Sequence, residues 1–163
     1  MKRGQAAMEF LMTYGWAILV VLAAIAALAY FGILSPARFL PERCTGPAGL
    51  DCLEKATFDA TNNYISWAIK NNEGKDINLT GLSTIDTTTK SCGSVSSFNI
   101  TIEGTNYDTF PVRLNNGKKA LIEVHCSNDF STGRASQDFK LEYLSLETGL
   151  THSATYDMVG KAT

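Results

Sequence analysis

An uncharged, apolar run near the N-terminus constrains this chain more than any other feature. From Phe10 to Leu34 the sequence has 25 residues and no Asp, Glu, Lys or Arg. A helix rises about 1.5 Å per residue, so a run of this length can cross the hydrocarbon core of a bilayer. Lys2 and Arg3 precede the run, which favours a cytoplasmic start and an outward C-terminal part, although Arg38 and Arg43 follow it. We therefore expect a membrane-inserted helix.

The apolar run sets the expected boundaries of the domains. We expect the helix to begin at Gln5 and to end at Ser35-Pro36, because the residue before a proline avoids helical geometry. The segment around residues 53–60 is either one helical turn or irregular. The expected organisation is a leader (1–4), a hydrophobic helix (5–35), a connector (36–62) and an extracellular domain (63–163).

From Tyr64 onward the apolar residues recur at every second position, which is the period of a strand with one buried face. In the first such run Ile65, Trp67 and Ile69 stand at alternate positions, and the last run is Leu150–Val159. Turn sequences separate the runs. About seven short strands with one apolar face predict an antiparallel β-sandwich, immunoglobulin-like in architecture. With the helix, the expected fold class is α+β.

Four cysteines follow the apolar run: Cys44, Cys52, Cys92 and Cys126. An even number of cysteines after an exporting helix favours two disulfides, whereas a reduced compartment would leave four buried thiols. Three pairings are possible. We prefer Cys44–Cys52, which closes the short loop CTGPAGLDC, and Cys92–Cys126, which would join two predicted strands.

Two sequons, Asn78-Leu79-Thr80 and Asn99-Ile100-Thr101, match the acceptor pattern for N-glycosylation. Both asparagines fall on the polar phase of an alternating run, so we expect them to face solvent and to carry glycans if the chain is exported.

Composition and motifs argue against catalysis and against nucleic-acid binding. The net charge is −2 and the pI is about 5.6, unlike the basic surface of a nucleic-acid-binding protein. His125 and His152 stand in different runs, and the sequence contains no GxSxG, HExxH or phosphate-loop motif. The cysteines lack zinc-ligand spacing, and the aspartates lack calcium-loop spacing. We expect no enzymatic activity, metal or cofactor.

The first ten residues read MKRGQAAMEF and lead directly into the apolar run. A secretory signal peptide has an apolar core of 7–15 residues followed by a cleavage site of small residues. Ala27-Leu28-Ala29 has the composition of such a site, but the apolar run continues past it. The arrangement resembles the class III signal peptides of archaeal type IV pilins. In that family a short basic leader ends in glycine, and the processing peptidase cuts before a glutamine that precedes the hydrophobic helix.

This resemblance, which covers residues 2–34, implies cleavage between Gly4 and Gln5 by a prepilin-type signal peptidase. Glu9 would become the fifth residue of the mature chain, where the family and its bacterial relatives often carry a glutamate. The amine of Gln5, from the same or a neighbouring subunit, can pair with that carboxylate. If Gln5 cyclises, Glu9 would need a hydrogen bond from a donor such as Thr13 or Tyr14, or its own proton. The alternative is a Glu9 that is solvated at the depth of the lipid headgroups.

The resemblance also implies the function and the partners of the chain. We expect a structural subunit of a type IV pilus-like surface filament, built from copies of this chain, for adhesion or surface interaction. The expected partners are the signal peptidase, a pilus assembly ATPase, a membrane platform protein and the membrane before assembly. One alternative is a single-pass anchored adhesin or binding module, which needs neither Gly4 nor Glu9. Another is a pseudopilin that works in secretion without forming long fibres.

Overall fold

The fold was analysed in a computed structural model, in which residues 2–30, 41–85 and 92–163 are described. The chain divides into two compact units, residues 1–40 and 41–163. The first unit contains one apolar helix, and the second contains a large, mostly antiparallel β-sheet. The fold class is therefore α+β, as the sequence predicts.

Helix α1 covers Lys2–Tyr30, so it begins before the expected start at Gln5. It contains no proline and is rich in alanine and leucine, which are strong helix formers. The expected helix end at Ser35-Pro36 lies outside the described residues. By length and mean hydropathy, Met12–Tyr30 is suited to cross a membrane, and a signal sequence has the same properties. The helix could therefore serve as a membrane anchor or as a signal sequence.

Within the described residues the sheet is built from eleven strands. Their bounds are β1 (Arg43–Thr45), β2 (Leu50–Cys52), β3 (Thr57–Asp59), β4 (Tyr64–Asn71), β5 (Ile77–Thr84), β6 (Val95–Ile102), β7 (Thr105–Tyr107), β8 (Val112–Leu114), β9 (Lys119–Cys126), β10 (Gly133–Ser145) and β11 (Thr151–Ala162). The order across the sheet is β7-β6-β9-β4-β3-β11-β10-β5-β8, with β1 paired to β11 and β2 paired to β4.

Strand β3 joins two parts of this sheet. It pairs antiparallel with β4 and, through Phe58 and Ala162, parallel with β11. We call β7, β6, β9, β4 and β2 the β4 half, and β1, β11, β10, β5 and β8 the β11 half. The indole ring of Trp67 in β4 stacks on the ring of Phe139 in β10, with centroids 4.9 Å apart. Because these rings come from different halves, the sheet folds over and both halves contribute to one core.

The core follows the alternation seen in the sequence. In β4, β9 and β10 every second side chain is buried, while the residues between them are partly exposed or exposed. Full burial of a large apolar side chain stabilises the fold by about 1.5–3 kcal/mol. The largest fully buried side chains are Trp67, Tyr156, Phe58, Phe139, Leu50, Ile65, Ile69, Ile77, Leu79, Ile100, Leu114 and Ile122.

The structure differs from the expected connector over residues 36–62. The second unit begins at residue 41, and β1, β2 and β3 lie within the segment that the sequence assigns to the connector. The segment around residues 53–60 contains β3 rather than a helical turn. Strands of three residues are too short to show an alternating pattern, and only their pairing with distant strands defines them.

Both disulfides lie in the second unit, in the preferred pairing. Cys44–Cys52 joins β1 of the β11 half to β2 of the β4 half. Cys92, in the connection between β5 and β6, is bonded to Cys126 at the end of β9. The Cys92 N–H also donates to Oε1 of the buried Gln137 in β10, at 2.9 Å. Each disulfide therefore reinforces a place where the halves meet.

Loss of the Cys92–Cys126 disulfide is expected to cost more stability than loss of Cys44–Cys52. The two cysteine pairs are separated by 34 and 8 residues respectively, and a longer loop loses more entropy when it is closed. Replacing each pair with serine should lower the free energy of unfolding by about 3–4 and about 2–3 kcal/mol respectively. Urea unfolding of the full chain in detergent measures both. Equal losses, or peptide mapping that joins Cys44 to Cys92, would contradict the assignment.

Candidate functional site

The apolar side chains described in α1, at position 8 and from 12 to 30, are largely exposed. Trp16 is 69% and Leu19 is 67% exposed, whereas Gly15 and Ala17 are only partly exposed. Exposed apolar side chains on every side of a helix are stable when lipid or protein covers them. The helix can therefore bury these side chains in a bilayer or against other helices, and its many alanines allow helices to approach closely.

Glu9 lies on α1 and is exposed. The Thr13 hydroxyl donates to the main-chain carbonyl of Glu9 at 2.8 Å, one helical turn back. The Thr13 hydroxyl hydrogen is used in this bond and is therefore not donated to the Glu9 carboxylate. Gly4 and Gln5 also lie within α1, so in the full-length chain the peptide bond between them belongs to helical backbone.

The two sequons occupy different environments in the sheet. Asn78 in β5 has neighbours on both sides, Arg113 of β8 and Leu144 of β10. Asn99 in β6 has Glu123 of β9 on one side and, among the described strands, no partner on the other. Both asparagines are partly exposed. Asn78 lies between two buried residues, and Asn99 lies between the partly buried Phe98 and the buried Ile100.

The two histidines lie in different halves of the sheet, each beside a tyrosine. His125 contacts Tyr64, and its Nε2 lies 3.5 Å from Oε1 of Glu123. Burial and the charge of Asp59 raise the pKa of Tyr64. His152 stacks on Tyr143, whose pKa is raised by burial and then by the Glu73 carboxylate. Residues 2–30, 41–85 and 92–163 contain no group of three or more His, Cys, Asp or Glu that could hold a metal ion.

A cleft between β5 and β6 was not predicted from the sequence. The rings of Phe98 in β6 and Phe110 in the β7–β8 connection stack with centroids 4.3 Å apart, and Asp108 lies beside them. The cleft has a volume of about 600 Å³, and its lining residues are Gly81, Leu82, Val95, Ser96, Ser97, Phe98, Asp108 and Phe110. Alternation of apolar residues predicts which face of each strand is buried. It does not predict which strands lie next to an open edge, so the sequence carries no direct signal for this cleft.

The chemical features of the chain are thus divided between the two units. The leader junction and Glu9 belong to α1, whereas the disulfides, sequons, histidines and cleft belong to the sheet-rich unit. No protein-family model matches the chain, and no curated protein sequence matches it significantly.

Proposed function

We propose that this chain is a type IV pilin-like subunit of the archaeal kind, which is made as a membrane-inserted precursor and assembles with copies of itself into a surface filament. The junction between the basic leader and the apolar helix carries the proposal: Lys2, Arg3, Gly4 and Gln5 are followed, after three further residues, by Glu9 and the apolar run. The exposed apolar side chains of α1 support it, because such a helix suits both a bilayer and a bundle of helices.

The sheet-rich unit is proposed to be the part displayed outside the cell, as an immunoglobulin-like sandwich formed by the two halves of the sheet. The stacking of Trp67 on Phe139 between the halves supports this architecture. Two disulfides suit an oxidising compartment. Asn78 and Asn99 are proposed glycan sites in a host that glycosylates its surface proteins. The proposed partners are a prepilin-type signal peptidase, a pilus assembly ATPase and a membrane platform protein.

The experiment that tests this function is to express the full chain in an archaeal host that has a prepilin-type peptidase and to identify the mature N-terminus by mass spectrometry. Mass spectrometry is preferred to stepwise degradation because an N-terminal glutamine can cyclise and block the amine. We expect the chain to start at Gln5 and to be recovered in filaments seen by electron microscopy. A mature chain that starts at Met1 supports the anchored adhesin instead, and one that starts at Tyr30 indicates an ordinary secreted protein.

Glu9→Gln is expected to leave cleavage and the sheet intact but to reduce the yield of filaments by about tenfold or more, since removal of one stabilising pair shifts an equilibrium by that factor. A bare carboxylate that is buried among helices must find a cation or a proton, and the amine of Gln5 is the proposed cation. Filament yield is measured relative to the amount of subunit in the membrane. The matched control is Glu54→Gln, the same change at an exposed position of the sheet-rich unit. Equal filament yields for both variants would show that Glu9 is solvated and does not contribute to assembly.

A further inference from the structure

We infer that the cleft between β5 and β6 is a binding site for an extended segment of another polypeptide, which adds to the sheet as an extra strand and places a basic side chain opposite Asp108. The inference does not depend on the filament, because it uses only residues of the sheet-rich unit.

The two strands that border the cleft are each paired over nearly their whole length with one neighbour and only in part with the other. β5 pairs with β10 over residues 77–84 but with β8 only over residues 77–79. β6 pairs with β9 over residues 95–101 but with β7 only over residues 100–102. Within the described strands, residues 80–84 of β5 and 95–99 of β6 therefore have a partner on one side only. A strand edge presents unpaired N–H and C=O groups, and another extended chain can pair with them.

Both open edges border the same cleft. Gly81 and Leu82 line it from β5, and residues 95–98 line it from β6. In strand addition, main-chain hydrogen bonds supply affinity and pockets for alternate side chains supply specificity. The stacked rings of Phe98 and Phe110 provide an apolar surface for such side chains. Pairing with a strand edge requires an extended main chain, so the occupant is an extended segment.

The described lining of the cleft carries a negative charge. Asp108 is exposed and is the one charged side chain among the described residues that line the cleft. No hydrogen bond or ion pair of Asp108 occurs within the described parts of the chain, so its carboxylate is available to a cation. Complementary charge across an interface favours one partner and one register over others. The extended segment is therefore expected to carry Lys or Arg at the position that reaches Asp108.

The test uses the isotope-labelled full chain in detergent micelles and a seven-residue peptide with blocked ends, in which threonine and valine alternate around a central lysine. We expect the amide signals of residues 80–84 and 95–99 to shift in a saturable manner. A peptide with the same side chains but with every internal amide N-methylated cannot donate main-chain hydrogen bonds to either edge. It should bind about tenfold more weakly or worse, because two or more main-chain hydrogen bonds are lost.

A second experiment exchanges the charge at position 108 and the charge at the centre of the peptide. Asp108→Lys should weaken the binding of the lysine peptide and strengthen the binding of a peptide with a central glutamate. Glu54→Lys, at an exposed acid that does not line the cleft, should change the affinity for neither peptide. Absence of shifts at millimolar peptide, or equal binding of the N-methylated peptide, would overturn the inference. Shifts confined to α1 would mean that the peptide only enters the micelle. The same shifts on raising the protein concentration without peptide would make a second copy the occupant and overturn the inference as stated.

Discussion

A Gly4→Leu chain is expected to keep its leader, with a cleavage rate lower than that of the natural chain by about a hundredfold or more, as small misplacements at a reacting bond commonly produce. The proposed peptidase must bring its catalytic groups against the peptide bond between Gly4 and Gln5. A leucine side chain adjacent to that bond holds the main chain away from the protease. The mass of the N-terminal peptide, followed over time after synthesis, measures the rate of cleavage.

The matched control is Gly15→Leu, which makes the same substitution in the same helix away from the junction. The described atoms leave open space around Gly15 for an added side chain, so the helix itself tolerates the change. The control chain should lose its leader at the natural rate. Normal cleavage of Gly4→Leu would contradict the proposed junction, whereas loss of cleavage in both variants would indicate a general defect in membrane insertion.

Replacing Asn71 with alanine is expected to lower the free energy of unfolding by about 3 kcal/mol. Asn71 lies at the end of β4 and is completely buried. Its Nδ2 donates to the carbonyls of Lys75 and Leu114 at 2.9 and 3.0 Å, and its Oδ1 accepts from the N–H of Glu73 at 3.0 Å. One side chain thus fixes the β4–β5 turn and ties it to β8. Alanine would leave three main-chain groups without this partner, and an unsatisfied buried group costs about 1–3 kcal/mol.

The adjacent Asn72 provides a matched control. Asn72 is exposed, and its side chain donates one hydrogen bond to the Asp51 carboxylate at 2.9 Å. Asn72→Ala should therefore cost about 0.5 kcal/mol or less, as is usual for surface substitutions. Urea unfolding followed by near-ultraviolet circular dichroism measures both variants. Similar losses for the two would show that the turn sequence as a whole, rather than the buried amide, stabilises this end of the sheet.

The sequence predicts those parts of the fold that depend on local pattern. The apolar run predicts α1, and alternation predicts the longer strands, including the burial of Ile65, Trp67 and Ile69. Strands β1, β2 and β3 were missed because their partners are distant in sequence: Arg43, for example, pairs with Val159. The buried polar side chains of Asn71 and Gln137 were also missed, because their burial depends on hydrogen-bond partners that only the folded chain supplies.

The candidate sites divide in the same way. The leader junction and Glu9 are read from neighbouring residues, so the sequence alone identifies them. The environment of each side chain, by contrast, cannot be predicted from its neighbours in the sequence. The Thr13 hydroxyl, for instance, is taken up by the main chain of α1, and no residue pattern indicates this. The cleft between β5 and β6 exists because β7 and β8 each cover only a short part of their neighbours, which is a property of strand register.

The position of the first disulfide has a mechanical consequence. Any pull on the N-terminal unit must reach the sheet through the chain before Arg43, and β1 is held to β11 by only three residue pairs. An exposed ion pair between Arg43 and Asp157, at 2.6 Å, adds little resistance to peeling. Cys44 is the next residue, and its bond to Cys52 passes the force covalently into β2. The load therefore passes from the three-residue strand β1 through the disulfide to β2, which is paired with β4 in the middle of the sheet. Separation of β1 from β11 stops after one residue.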